Sequence, residues 1–200
     1  MIRWLAIDRA ARIVRAGGII AYPTEAVFGL GCLPDDERAV MRVLSIKRRS
    51  WRKGLVLIGA TLAQLERYAV LPPEPRRSEI LATWPGPVTW ALTARRNTPR
   101  WISGGHDSVA VRLTAHPLAR RLCERAGSAL VSTSANVSRR APHRRVLALR
   151  HELGRRLDCV LAGELGGLAQ PTVIRDGRTG QLLRGWPHRV ALAEPGRRSE

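Results

Sequence analysis

The sequence predicts a single α/β domain: a twisted sheet of mixed parallel and antiparallel strands with flanking helices. The chain has 200 residues, the length of one ordinary domain. Short apolar runs alternate with amphipathic segments, without an internal repeat. A hairpin-type turn at residues 176–180 (DGRTG) joins two of these runs, so some strands must pair antiparallel. We expect the domain to span residues 1–190 and residues 191–200 to form a loose tail.

The helices are predicted from apolar periodicity and from end signals. Ile2, Ala6 and Ile13 share one helical face, and two glycines at positions 17 and 18 end that first helix. Acidic residues open the second helix and favour its positive end, and Pro117 suits a first turn. Including the first helix, the predicted helices cover residues 2–16, 35–47, a short stretch after position 61, 78–84, 117–126 and 147–157.

The strands are predicted from short apolar runs that are bounded by glycine, proline or polar residues. A glycine-rich loop is expected at residues 25–34, an irregular turn at the two prolines of 84–87, and loops at 97–105 and 134–142. The predicted strands cover residues 19–22, 54–59, 88–94, 108–113, 129–133, 159–161, 172–175 and 181–183.

The charge balance predicts anionic partners. Lysine and arginine number 34 against 16 acidic residues, a net charge of +18, and only Lys47 and Lys53 are lysines. Such an excess suits nucleotides, phosphates or RNA. The composition excludes a disordered or fibrous chain. No apolar stretch approaches the roughly 20 residues of a membrane span, and no secretion signal is visible. Three cysteines without metal spacing suit a reducing compartment, so we expect a cytoplasmic protein without membrane contact.

Familiar catalytic motifs and metal-ligand spacings are not found, so polar residues at strand ends are the candidates. Ligands of open α/β sheets bind beyond the carboxyl ends of strands. Polar groups occur there at residues 22–25 and 132–136, and the basic residues 47–49 end a helix just before the second strand. Ordinary turn chemistry or the helix dipole would also explain several of them. Arg112 is different, because a cation in an apolar strand must face solvent or pair with an anion. Together these groups predict a basic, hydroxyl-rich, concave cavity.

The same segments resemble the YrdC/TsaC family, the threonylcarbamoyl-AMP synthases. The resemblance runs through nearly the whole chain and implies the short, single-domain, YrdC-like form. The matching segments are AYPTEAVFGLGC (21–32), SIKRRSWRKGLVLI (45–58), WPGPVTWAL (84–92), DSVAVRLTAHP (107–117), STSANVS (132–138) and GELGGLAQPTVIRD (163–176).

The resemblance implies a nucleotidyltransferase that condenses L-threonine, bicarbonate and ATP into threonylcarbamoyl-AMP and pyrophosphate. Other proteins then transfer the threonylcarbamoyl group to the adenosine next to the anticodon of certain tRNAs. ATP is a substrate, and Mg²⁺ bridging its phosphates is the implied cofactor, with no metal site built from protein ligands.

The resemblance also implies roles for individual residues. The family's KxR…SxN tetrad falls on Lys47, Arg49, Ser134 and Asn136, the implied catalytic residues, of which the first two would hold ATP phosphates. Further positions around ATP are Lys53, Ser108, Pro142 and Arg184. The threonine positions are Thr24, Arg112, Ser132 and Thr172. The chain departs from the family pattern at Ser50, usually proline, and at Arg139-Arg140, where a glycine is common.

Two further expectations follow from the residues. A non-catalytic tRNA-binding, double-stranded-RNA-binding or ribosome-maturation factor is the competing interpretation, favoured by the charge, although exposed aromatic residues are not clustered. If Lys47 and Arg49 both bind ATP, the helix predicted over residues 35–47 must end at or before Lys47. The next residues must then be extended, since on a helix these side chains would diverge by about 200°.

Overall fold

The computed structural model describes residues 2–184, which contain seven α-helices, two short 3₁₀ helices and eleven strands. The α-helices are α1 (Ile2–Arg15), α2 (Glu37–Lys47), α3 (Leu62–Glu66), α4 (Arg76–Ala82), α5 (Arg100–Ser103), α6 (Pro117–Ala126) and α7 (Val146–Leu153). The strands are β1 (Ile20–Pro23), β2 (Phe28–Gly31), β3 (Val56–Gly59), β4 (Ala69–Val70), β5 (Val88–Ala94), β6 (Ser108–Leu113), β7 (Leu130–Val131), β8 (Thr133–Ser134), β9 (Cys159–Val160), β10 (Val173–Asp176) and β11 (Leu182–Arg184). The 3₁₀ helices are Trp51–Lys53 and Gly154–Arg156.

The strands pair in both parallel and antiparallel fashion, as predicted, but the described residues form two sheets instead of one. The smaller sheet has the order β8-β2-β1-β9, and the larger has the order β11-β10-β5-β6-β3-β7, with β4 beside β5. The predicted strand at residues 129–133 is divided between them. Leu130–Val131 pairs with β3, whereas Thr133–Ser134 pairs with β2. Ser132 therefore lies where the chain passes from one sheet to the other.

The glycine-rich stretch predicted as a loop forms β2, which pairs antiparallel with β1. A side chain at Gly31 would place its Cβ 2.6 Å from Cε1 of Tyr22 and 2.8 Å from the carbonyl oxygen of Val131. The glycine is thus needed for a close approach within a strand. Pairing with β1 outweighs the low strand propensity of glycine.

Helix α2 carries the first tetrad residue and has clear signals at both ends. The Asp36 side chain accepts a hydrogen bond from the backbone N–H of Ala39 at 2.9 Å and caps the N-terminus. The helix ends at Lys47, as predicted. Arg48 then adopts a left-handed conformation with φ 49° and ψ 51°, so the predicted extended continuation is wrong at that residue. One left-handed residue ends the helix by turning the chain sharply.

Helices α1 and α6 pack together against the sheets, and apolar residues such as Ile7, Val14 and Leu122 are fully buried there. Helix α5 lies in the stretch predicted as a loop at 97–105, and β4, for which the sequence made no prediction, pairs with β5 at the larger sheet. Helix α7 is shorter than predicted and continues as a 3₁₀ turn. The predicted loose tail at 191–200 lies outside the described residues. Within residues 2–184 no helix has the length and apolar character needed to cross a membrane.

Candidate active site

A cavity of about 460 Å³ opens where the two sheets meet. Its volume lies within the range of about 300–1,000 Å³ that is typical of small-molecule sites. The predicted residues that line it are Thr24, Arg49, Arg112, Ser132, Ser134, Pro142, Thr172 and Arg184. The fold therefore brings all four predicted threonine positions together with half of the predicted ATP positions.

The guanidinium of Arg112 is buried beside the cavity, and the residue is 5% exposed. Its Nη2 donates to Oε2 of Glu25 at 3.0 Å, and its Nη1 donates to the hydroxyl of Thr172 at 2.8 Å and of Thr89 at 3.3 Å. The Thr114 hydroxyl donates to the other oxygen of Glu25 at 2.7 Å. We call these five residues the Arg112 network.

The Arg112 network contains one buried ion pair. Burial would raise the pKa of Glu25, but the Arg112 charge and the Thr114 hydroxyl outweigh it and hold that pKa below its usual range. Arg112 is thus paired with an anion, one of the two situations that the sequence allowed. Its Nε–H is buried without a partner among the described residues.

The other predicted threonine positions stand around this network. The Thr24 hydroxyl donates to the Val27 carbonyl at 2.7 Å and fixes the turn between β1 and β2. Ser132 is buried at the junction of the sheets. Thr172, just before β10, contacts Arg112 directly. Small hydroxyl-bearing residues therefore line the same cavity as Arg112.

Lys47 does not line the cavity; it holds the loop that follows β8. The residue is 3% exposed, and its Nζ donates to the carbonyl oxygens of Ser134 and Asn136 and to Oδ1 of Asn136, the last two at 3.0 and 3.1 Å. The Ser134 hydroxyl donates to the same Oδ1 at 2.6 Å. We call these three residues the Lys47 network. Burial and the nearby Arg49 charge lower the pKa of Lys47 to about 8.

The loop after β8 is fastened at further points. The Ser138 N–H donates to the Lys47 carbonyl at 2.9 Å, and the Asn136 side-chain amide donates to the Arg140 carbonyl. Arg139 has a φ of 70°, a left-handed conformation that suits the glycine common in the family at this point. The arginine pair is therefore compatible with a closed loop, although Arg139 adopts a strained conformation.

Arg49 and Arg184 supply cations to the cavity without a carboxylate partner among residues 2–184. Nη2 of Arg49 donates to the carbonyl oxygens of Lys53 and Gly54 at 3.3 and 3.0 Å, while its buried Nε–H has no partner there. Burial lowers the pKa of Arg49. Arg184 is exposed as a residue, yet desolvation and the charges of Arg49 and Arg112 lower its pKa as well. This crowding of cations favours a bound polyanion.

The remaining predicted positions lie away from the lining. Lys53 is exposed at the end of a 3₁₀ helix, where its carbonyl rather than its ammonium contacts Arg49. Ser108 begins β6 opposite Thr93, four residues before Arg112. Among the described residues no cluster of three or more His, Cys, Asp or Glu could hold a metal ion.

Sequence reasoning did not assign roles to Glu25 and Thr114, although both occur in the matching segments. A usable signal existed for Thr114, because residues 112 and 114 fall on one side of an extended chain. The pairing with Glu25 joins residues 87 and 89 positions apart, which local patterns do not reveal.

Comparisons with known proteins identify the family of this chain. The Sua5_yciO_yrdC family model, described as telomere recombination, matches residues 12–185. The chain belongs to the Sua5/YciO/YrdC family. It is 53% identical over 178 residues to a threonylcarbamoyl-AMP synthase of Halorhodospira halophila, covering 89% of this chain and 93% of that protein.

Solved structures share the fold. The P. abyssi Sua5 crystal structure in complex with L-threonine superposes with a TM-score of 0.81 at 33% identity, over 87% of this chain and 51% of that one. The chain thus spans about half the length of that protein. E. coli YciO superposes with a TM-score of 0.76 at 25% identity, over 87% and 84% of the two chains. The predicted mixed α/β architecture is confirmed.

Proposed function

We propose that this protein is a threonylcarbamoyl-AMP synthase, which condenses L-threonine, bicarbonate and ATP into threonylcarbamoyl-AMP and pyrophosphate. The observation that carries the proposal is the cavity, which unites an ion-paired Arg112 and hydroxyl groups with two cations, Arg49 and Arg184, that have no carboxylate partner among the described residues. An amino acid requires the first set of groups, and a triphosphate requires the second. The synthase relative at 53% identity supports the same activity.

The reaction needs a site that tolerates anions close together. The threonine amine attacks bicarbonate and, with loss of water, gives a carbamate. A carbamate oxygen then attacks the α-phosphorus of ATP, and the bond to pyrophosphate breaks. Both reactants are anionic, so catalysis depends mainly on positioning and on cations that stabilise the transition state.

The chain's own groups fit these tasks. Arg112, which lines the cavity, receives the threonine carboxylate, and Thr24, Ser132 and Thr172 offer partners for the threonine hydroxyl. Arg49 and Arg184 hold the phosphates. Lys47 acts indirectly, because its three hydrogen bonds keep Ser134 and Asn136 in place.

The donor set also fits Mg²⁺ that arrives with ATP. The cavity offers hydroxyl oxygens, including that of Ser134, while the nearby Glu25 carboxylate is engaged by Arg112 and Thr114. Phosphate oxygens would therefore supply most of the metal's ligands, and the Ser134 hydroxyl is the group of the lining that would help to hold it. When bound it would neutralise phosphate charge.

We assign this activity to the domain predicted over residues 1–190 and place it in the cytoplasm, which the three free cysteines support. The product would serve N6-threonylcarbamoyladenosine formation in tRNA, through separate transfer proteins. The net charge of +18 supports additional contact with tRNA. The ligand-sized cavity favours an enzyme over a non-catalytic RNA-binding factor.

The test is pyrophosphate release by the purified protein supplied with ATP, bicarbonate and L-threonine. We expect release to require all three substrates. Release that persists without threonine or without bicarbonate would contradict the proposal. Arg48→Ala, a change on the exposed neighbour of Arg49, is the matched control for any loss seen with Arg49→Ala.

A further inference from the structure

Glu25 is a buried carboxylate that the proposed reaction does not use directly. It is 6% exposed and does not line the cavity, although its neighbours Thr24 and Ala26 do. Its carboxylate faces Arg112 and Thr114 from behind the cavity wall. Its influence on a ligand must therefore pass through Arg112.

The three guanidinium groups of the cavity differ in their counter-charge. Arg112 has a carboxylate at 3.0 Å, whereas Arg49 and Arg184 have none within residues 2–184. The Glu25 carboxylate is ionised at neutral pH, since its pKa is held below the usual range. The pair of Arg112 and Glu25 is thus close to neutral, and the uncompensated charge of the cavity is concentrated on Arg49 and Arg184.

A polyanion and an amino acid respond differently to this division. A phosphate group carries up to two charges and binds where uncompensated cations are concentrated. The carboxylate of a zwitterionic amino acid carries one charge, and hydrogen bonds from Arg112 and neighbouring hydroxyls suffice to hold it. Without Glu25 all three guanidinium groups would attract phosphate, and Arg112 would no longer be reserved for the amino acid.

We propose that Glu25 is a specificity-determining residue, which neutralises Arg112 so that phosphate is excluded from the amino-acid subsite of the cavity. The inference rests on the proposed function, because it takes threonine as the ligand of Arg112. Glu25 is a positioning residue that never touches substrate. Its backbone has a second task, since its carbonyl accepts from the Leu168 N–H at 3.0 Å and anchors the segment that leads to Thr172.

The experiment measures equilibrium binding of labelled L-threonine at increasing inorganic phosphate, without ATP, for the wild type and for Glu25→Gln. In the wild type, phosphate should leave the dissociation constant of threonine unchanged. In Glu25→Gln, phosphate should compete with threonine, with an affinity for this subsite raised about tenfold or more, as expected for removal of one nearby charge. Glu25→Asp keeps the charge and should behave like the wild type.

Thr114→Val is the matched control, because it removes a hydrogen bond to Glu25 but no charge, and it should gain no phosphate competition. Glu25→Gln without phosphate competition overturns the inference. Competition by phosphate in the wild type overturns it too, and that measurement needs no variant if Glu25→Gln fails to fold. Failure of the proposed function is distinguishable, since the wild type would then bind no threonine and release no pyrophosphate.

Discussion

The Arg112 network and the Lys47 network each bury a cation beside the same cavity, but different groups compensate its charge. Arg112 has an anionic side chain at 3.0 Å and three hydroxyls in its network. Lys47 has carbonyl oxygens and no carboxylate within the described residues. An ion pair can preserve a buried charge over a wide pH range, whereas carbonyl dipoles only partly replace lost hydration. The first network therefore suits ligand selection, and the second suits loop positioning.

The largest expected effect comes from breaking the ion pair. Arg112→Ala leaves Glu25 buried without its partner, so the free energy of unfolding should fall by about 3–5 kcal/mol. Threonine-dependent turnover should be lost as well. Urea unfolding measures the first effect and pyrophosphate release the second. Arg120→Ala breaks an exposed pair with Glu124 and should cost at most about 1 kcal/mol. An equal fall in the free energy of unfolding for the two variants would mean that the buried pair contributes no more to stability than the exposed pair.

The next effect separates the cavity cations from surface charge. Arg49→Ala should lower turnover by about 10²–10³, the usual cost of a lost transition-state donor. Arg49→Lys should also be poor, because an ammonium cannot reproduce the guanidinium fork. Arg48→Ala should change little, since Arg48 is exposed and does not line the cavity. Pyrophosphate release is the measurement, with circular dichroism as the folding control. If Arg48→Ala and Arg49→Ala lower pyrophosphate release equally, Arg49 contributes no more than a general basic surface charge.

The two networks also differ in how far the sequence could predict them. Arg112 was noticeable because a cation interrupts an apolar strand, and such a cation must either face solvent or pair with an anion. The identity of the anion depends on a side-chain contact between Arg112 and Glu25, which are 87 positions apart, so local patterns do not reveal it. Lys47 and its partners were located through the resemblance. The acceptors of Lys47 are mostly backbone carbonyls, which every residue has, so no sequence pattern could show that its ammonium is turned toward the loop.

The fold shows the same division between local and long-range information. Helix ends such as Asp36 and Lys47 depend on nearby residues and were predicted. Strand β2 was missed because glycine favours loops locally, while its pairing with β1 and the closeness of the Tyr22 ring decide its structure. The split at Ser132 depends on two different partner strands, so the second sheet could not be predicted from one apolar run.

A smaller effect sharpens the account of the amino-acid subsite. Serine keeps the hydroxyl of threonine and loses one methyl group, which costs roughly 1–3 kcal/mol in a fitted pocket. Serine should therefore be a slow but measurable substrate. Valine keeps the branched shape and leaves a polar partner such as Thr24 or Thr172 unsatisfied, so it should be worse. The measurement compares kcat/KM for the three amino acids. A kcat/KM for valine equal to that for threonine would show that the pocket does not recognise the threonine hydroxyl.

The smallest effect tests whether carbonyl oxygens can replace hydration around Lys47. Its pKa falls from 10.5 to about 8, with burial as the main cause, so between these values the unfolded chain binds the proton and the folded chain does not. This group therefore lowers stability below about pH 8, and the penalty disappears as the pH rises toward 10.5. We expect wild type to gain roughly 1–3 kcal/mol relative to Lys47→Met between pH 7.5 and 10 in urea unfolding. Using the difference cancels other titrating groups. A difference that moves the opposite way would show that the three acceptors hold the ammonium more strongly than water does.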